Sequence, residues 1–352
     1  MSKLTRRSTL TGLTALGLSP LATRVASAAP PALAITPALV DAARKEGSVN
    51  WYTAMDLPAA EAMAKAFEAK FSGITVKVER SGSERVFQRI AQEYGSRITQ
   101  VDVVSSADAA HLLAWKREGW LEPILLEDVA RSFTAGTFDP EGYYATHRVH
   151  LSVIAYNTTL VKPEDVPKSF ADLLDPKYSG KMVKANPNYS GTILTATFQM
   201  ARDLGWDYFE KLSKQKIMQV QSSTDPPKKI ALGERAIMAD GNHYNVLQQK
   251  DKGAPVEVVF ATEGSPYVSN PSGLFKAAPH PNAARLLHAW MFSGDGQQMI
   301  IDYTGMYSMH AGVKPKPGRK PLSEIKTMKE DPEMVLTQAE AIKARYTQIF
   351  KV

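Results

Sequence analysis

Between residues 49 and 118 this chain alternates short apolar runs of strand length with amphipathic segments of helical period. That alternation restricts its folding more than any other feature. Val49-Asn50-Trp51-Tyr52-Thr53 reads as a strand, and the helix before it closes at Lys45-Glu46-Gly47, where Gly47 supplies the cap. Pro58 to Phe71 predicts a helix: Met63, Phe67 and Phe71 recur every four residues, and Glu61 faces Lys65 one turn on. Ile74-Thr75-Val76-Lys77-Val78-Glu79 alternates as a strand, and Ser81-Gly82-Ser83-Glu84 opens a second helix to about Gly95. Val101-Asp102-Val103-Val104 is a third strand and Ala107 to Glu118 a third helix. A βαβαβα unit of this kind predicts a parallel sheet with right-handed crossovers, so the fold class is α/β.

The second half continues in the same style without repeating the sequence. Val149 to Tyr156 predicts one long apolar strand. Lys181 to Ala185 is another, leading through Asn186-Pro187-Asn188-Tyr189 into a helix from Gly191 to about Leu204. Ile217 to Gln221, Ala236 to Ala239 and Val256 to Phe260 are further strands, and Pro226-Pro227 suits a helix start, where a missing N–H costs little. From Pro281 the chain turns helical, Asn282 to Phe292 and then Gly296 to Tyr303. The polar C-terminal stretch carries one helix near Leu336 to Phe350, read as a strap over the body.

The first 28 residues read as a leader rather than as part of the fold. Thr5-Arg6-Arg7-Ser8-Thr9-Leu10 is a twin-arginine pattern; a modestly apolar run follows to Leu21, and Ala26-Ser27-Ala28 is an A-x-A cleavage site. The expectation is a protein exported from a bacterial cytoplasm and working in the periplasm. Removing residues 1–28 takes away Lys3, Arg6, Arg7 and Arg24 and no acid, so the formal net charge falls from +6 to +2. The basic balance therefore belongs to the leader, and nucleic acid is not an expected partner. No cysteine is present, which excludes disulfides, thiolate nucleophiles and cysteine metal sites. No later run reaches the ~18 apolar residues a membrane helix needs.

Several blocks, taken in order, resemble the bacterial extracellular solute-binding proteins of family 1, and within them the ferric-ion-binding type of ABC-transporter substrate-binding protein. They are Glu46 to Ala54, Val101 to Asp108, Ala155-Tyr156-Asn157-Thr158, Phe170 to Lys181, Gly253-Ala254-Pro255-Val256, His280 to Ala284 and Ser293-Gly294-Asp295-Gly296-Gln297. The resemblance implies a type II periplasmic-binding fold: two α/β lobes, a hinge crossed more than once, and a ligand in the interlobe cleft. The lobes would be residues 29–153 with 263–312, and 154–262 with 313–352. It implies a monomeric receptor that hands a small ligand to the membrane permease of an ABC importer and carries no cofactor.

Open α/β sheets bind ligands beyond the carboxyl ends of their strands. The loops after Thr53, Glu79, Val104 and Ala185 should therefore converge, placing Ala54 and Ser106 at the cleft. Ser190-Gly191-Thr192 lies between a predicted strand and helix. Its free N–H groups suit an anion, and in the ferric-type family the corresponding turn holds the synergistic anion; a plain cap is the other reading. Ser81, Gly82 and Ser83 repeat that chemistry in the first lobe beside Arg80, with a solvated turn as the alternative. Arg148, near the crossover, is a candidate cation or a surface residue. Asp108 either contacts ligand or caps the helix after it.

The ferric ligand set is not intact. Adjacent tyrosines are common in that family's second lobe, but Asp240 to Asn245 here offers His243-Tyr244, and the loop where an earlier His would sit reads Ala54-Met55-Asp56. The expected ligand is thus a small organic anion (carboxylate, phosphonate or phosphate ester) with His243 and Tyr244 as contacts and no metal site. Ferric iron with a synergistic anion is one alternative. An exported enzyme is another, although G-x-S-x-G, H-E-x-x-H, G-x-G-x-x-G and P-loop patterns are all absent.

Overall fold

The computed structural model describes residues 31–352. The twin-arginine reading of residues 1–28 lies outside the described residues. The first lobe starts with α1 (Pro37–Glu46), β1 (Ser48–Thr53), α2 (Leu57–Lys70), β2 (Thr75–Arg80), α3 (Ser83–Gly95), β3 (Val103–Ser105) and α4 (Ala109–Arg117). β4 (Leu121–Glu122), α5 (Glu127–Ser132) and β5 (Ala145–Leu151) follow. The second lobe holds β6 (Ile154–Asn157), β7 (Met182–Ala185), α6 (Gly191–Leu204), α7 (Trp206–Ser213), β8 (Met218–Val220), α8 (Asp225–Ala231), β9 (Ile237–Met238), α9 (His243–Asp251) and β10 (Val256–Val259). The chain returns through β11 (Tyr267–Phe275), α10 (Pro281–Phe292) and α11 (Gly294–Thr304), and ends in α12 (Pro332–Phe350).

Two sheets result. The first runs β2-β1-β3-β11-β4, with β5 paired to β11; the second runs β10-β6-β9-β7-β8. β1 is parallel to β2 and β3, as the βαβαβα pattern requires, with Trp51 opposite Val78 on one side and Val103 on the other. β11, however, is antiparallel to β3, β4 and β5, so the sheet is mixed. The pattern does not predict β11, because Pro271 and Gly273 interrupt its apolar run. Pro271 is tolerated at a register shift between Asn270 and Pro271.

The single strand expected over Val149 to Tyr156 is two. β5 and β6 belong to different sheets, and the break falls at Ser152-Val153. An apolar run hides such a break, since both strands are buried throughout or nearly so. The return crossing lies alongside the first: Ser152 N–H donates to the Pro266 carbonyl at 3.0 Å. These paired crossings are the hinge. α12 straps across the outside, packing on α4 on one side and on α6 and α7 on the other. Its Lys343 reaches Glu84 of α3 at 2.5 Å, while its Tyr346 hydroxyl reaches Gln219 of β8 at 2.9 Å. Among the described residues no helix is long and apolar enough to cross a membrane.

Candidate functional site

Because β1, β2 and β3 are parallel, their carboxyl ends open on one edge of the first sheet. The turns there bring Ala54 and Met55, then Arg80, Gly82 and Ser83, then Ala107 to the cleft. β7 and β8 do the same from the second sheet with Tyr189, Ser190 and Thr192 and with Ser222 and Ser223. The hinge strands add Arg148 and His150 from β5 and Asn270 from β11, and the start of α9 adds Asn242 and Tyr244. The lobes close on these groups and leave an inner cavity of about 20 Å³. Beside it lies an outer chamber of about 530 Å³, and Arg80 lines both.

Two helix N-termini meet at the inner cavity. Ser190 is the N-cap of α6, its hydroxyl accepting from Ile193 N–H at 3.4 Å. The Gly191 N–H donates across the cleft to Ser83 Oγ at 3.1 Å. α3 has Gly82 as its N-cap, with no side-chain cap. Gly82 is dictated by the closure, since a Cβ there would overlap the Tyr189 carbonyl oxygen. A helix start carries about half a positive charge, so both termini favour an anion.

Arg148 adds a full charge. It is 1% exposed, Nη1 lies 2.9 Å from His147 Nδ1, and Nε has no partner. No carboxylate forms an ion pair with it among the described residues. Burial pulls its pKa down to about 10, which leaves it charged at neutral pH. An unpaired buried cation is costly, and an anion in the cavity would relieve that cost. Neighbouring His150 is held neutral by burial and by the charge of Arg148 nearby; it lies 3.3 Å from Thr192 Oγ1 and 2.9 Å from Asn270 Nδ2. The Tyr244 phenol is pushed up by burial.

Of the residues singled out by sequence, Ala54, Gly82, Ser83, Arg148, Ser190, Thr192 and Tyr244 line the inner cavity. Ser81 lies outside the lining. Gly191 does too, its N–H already bound to Ser83. Ser106 is spent within its own loop, between His111 Nδ1 at 3.0 Å and Asp108 N–H at 3.1 Å. Asp108 is the cap of α4, accepting from Ala110 N–H at 2.9 Å. His243 is not a cleft residue. Its Nδ1 accepts from Leu151 N–H at 3.1 Å, and its ring stacks on Tyr307 at 5.2 Å, where it supports the hinge. In the first turn of a helix, successive side chains point about 100° apart, so Tyr244 and His243 face different ways.

Sequence reasoning missed Asn242, Asn270 and His150, which the hinge brings to the cavity, and Ser222 and Ser223, which follow β8. One cluster of metal-ligating type occurs among the described residues: Glu84, Asp108 and His111, with donor atoms within 4.8 Å of one another. It is already neutralised from within. His111 Nε2 is 3.0 Å and Lys343 Nζ 2.5 Å from the Glu84 carboxylate. Burial alone would raise Glu84, but these two cations pull it down to about 2.

The architecture matches solved two-lobed receptors. The periplasmic binding protein AfuA from Actinobacillus pleuropneumoniae, with exogenous fructose-6-phosphate bound, superposes with a TM-score of 0.78 at 22% identity, covering 87% of this chain and 99% of that one. Iron-bound HitA from Pseudomonas aeruginosa gives 0.73 at 24% identity, with 86% and 99% covered. A probable ABC transporter periplasmic-binding protein, y4fP of Sinorhizobium fredii, is 23% identical over 237 residues, 65% of each chain. Residues 99–325, more than half of the sequence, match the bacterial extracellular solute-binding proteins, and the chain belongs to that family.

Proposed function

We propose that this protein is the periplasmic receptor of an ABC importer, exported by its twin-arginine leader, which captures a small organic anion between its lobes and hands it to a membrane permease. The lobes are residues 29–153 with 263–312, and 154–262 with 313–352, and the receptor acts as a monomer without a cofactor. The observation that carries the ligand class is Arg148, a buried guanidinium that forms no ion pair among the described residues and lies beside two helix starts. The same lining argues against bare ferric iron. Arg148 lines the cavity and repels a cation. Of the two solved relatives described above, the one holding a phosphate ester has the better chemical precedent here.

Mass spectrometry of small molecules released from natively purified protein tests this reading. An organic carboxylate, phosphonate or phosphate ester is the expected result. A visible charge-transfer band on adding ferric salt, with no organic anion released, would overturn it. Small-angle scattering should show compaction on ligand binding, since the family closes about its hinge.

A further inference from the structure

Two hydrogen-bond acceptors on residues of the cleft are buried without partners: Oδ1 of Asn242, which lines the inner cavity, and Oδ1 of Asp56, which lines the outer chamber. Asn242 is 3% exposed, and its amide nitrogen is already engaged with Asn245 Oδ1 at 2.9 Å and Ser223 Oγ at 3.3 Å. Asn245 in turn donates to Gln248 at 3.0 Å. A row of amides therefore runs along one face of α9 from the inner cavity into the outer chamber, on the i, i+3 spacing of a helix face. Leu57 and Tyr303, 44% and 41% exposed, line the same chamber.

The inner cavity, at about 20 Å³, has no room for the body of a ligand. The outer chamber, at about 530 Å³, is the size of an ordinary small-molecule pocket. A buried acceptor without a donor is unfavourable, so the two free oxygens call for donors on the ligand. Those donors must be neutral. Arg148 is unpaired in the inner cavity, and Arg80 bonds the Met55 carbonyl at 3.1 Å, one residue from Asp56. The two linings together hold Arg148, Arg80, Lys228, Lys252 and Lys316 against the carboxylates of Asp56 and Asp251, so an ammonium would add to an excess of positive charge, whereas a hydroxyl donates without adding charge.

Resting on the anion-receptor reading above, we infer that the ligand is a hydroxylated organic anion. Its hydroxyls are read by Asn242 and Asp56, and its body lies along the amide row of α9 in the outer chamber. The charged head sets whether a molecule binds; these acceptors set which one.

Calorimetry on matched probes tests this: glycerol 3-phosphate against n-propyl phosphate, and gluconate against hexanoate. Within each pair the charge is shared and the hydroxyls differ. The hydroxylated member should bind at least tenfold tighter in whichever pair is bound, and in Asp56→Ala that ratio should fall below threefold. Equal binding within a pair, or phosphoethanolamine binding tighter than glycerol 3-phosphate, overturns this inference and leaves the anion reading standing. No binding by any of the five probes overturns both.

Discussion

Two helices begin at this cleft with almost the same three residues, Ser81-Gly82-Ser83 before α3 and Ser190-Gly191-Thr192 before α6, and they reach different electrostatic states. α6 takes the serine of its motif as N-cap, and a second amide is spent on Ser83 across the cleft. α3 starts one position later in the motif, with Gly82 as N-cap and no side-chain cap. Its first turn even contains an acid, Glu84, yet His111 and Lys343 draw that carboxylate into their own buried network. The sequence favours α6 as the anion site, but the structure leaves α3 as the less satisfied terminus. Near-identical motifs thus differ because a one-residue shift in helix start decides whether the hydroxyl caps its own helix or serves the opposite lobe.

The largest effect should come from the residue that lets the two termini approach. Gly82→Ala introduces a Cβ that overlaps the Tyr189 carbonyl oxygen. Gly82 has φ −62°, so alanine is free of backbone strain and the lobes should fold. Ligand affinity should fall at least a hundredfold, about 3 kcal/mol, with scattering showing an open form at saturating ligand. Affinity within threefold of the parent would mean that the two helix starts need not meet.

Arg148→Gln separates full charge from helix dipole. Binding should weaken by about 2–3 kcal/mol, the scale of lost charge-assisted hydrogen bonds. The melting temperature of the unliganded protein should hold or rise, because an unpaired buried charge has been removed. If affinity is unchanged in calorimetry, the helix termini alone hold the anion.

The network behind α3 makes a pH prediction. Glu84, held at about 2, stabilises the fold fully above its ordinary value near 4.5, and that stability is lost as pH falls through about 2. Glu84→Gln should therefore cost about 2–3 kcal/mol near pH 6 and progressively less on acidification. A constant difference between parent and variant in denaturant titrations from pH 6 to pH 2.5 would show that Glu84 is not the titrating partner of Lys343 and His111.

The smallest effects distinguish the two serines. Ser190→Ala removes a cap and should lower stability by about 0.5–1 kcal/mol, with affinity within about twofold. Ser83→Ala removes the acceptor for the Gly191 N–H and should weaken binding by about 1 kcal/mol, with little change in stability. The reverse pattern, Ser190 mattering more for ligand than Ser83, would return the anion to α6.

How much of this was legible follows from the range over which each signal acts. Helix starts, glycine caps and apolar periodicity operate within a few residues, so α2, α3, α4, α6 and α10 fall close to the segments read from sequence. β11 was not legible, because it is stabilised by β3 and β5 on either side rather than by its own interrupted sequence. The same holds at the site. Gly82 and Ser190 announce themselves by local turn chemistry, while Asn270 and Asn242 become cleft residues only when the hinge strands are paired.

The sequence alone settled the α/β alternation, the convergence of loops after β1, β2, β3 and β7, and the exclusion of cysteine chemistry. These depend on residue type and spacing within single elements. Tertiary structure decided that Arg148 is a buried cation rather than a surface one, that His243 braces the hinge, and that α3 rather than α6 is left open. Each of those depends on what lies opposite: desolvation, ion pairing and hydrogen-bond satisfaction are set by groups from β5, α9 and α12, tens to hundreds of residues away in the chain, and no local pattern encodes that distance.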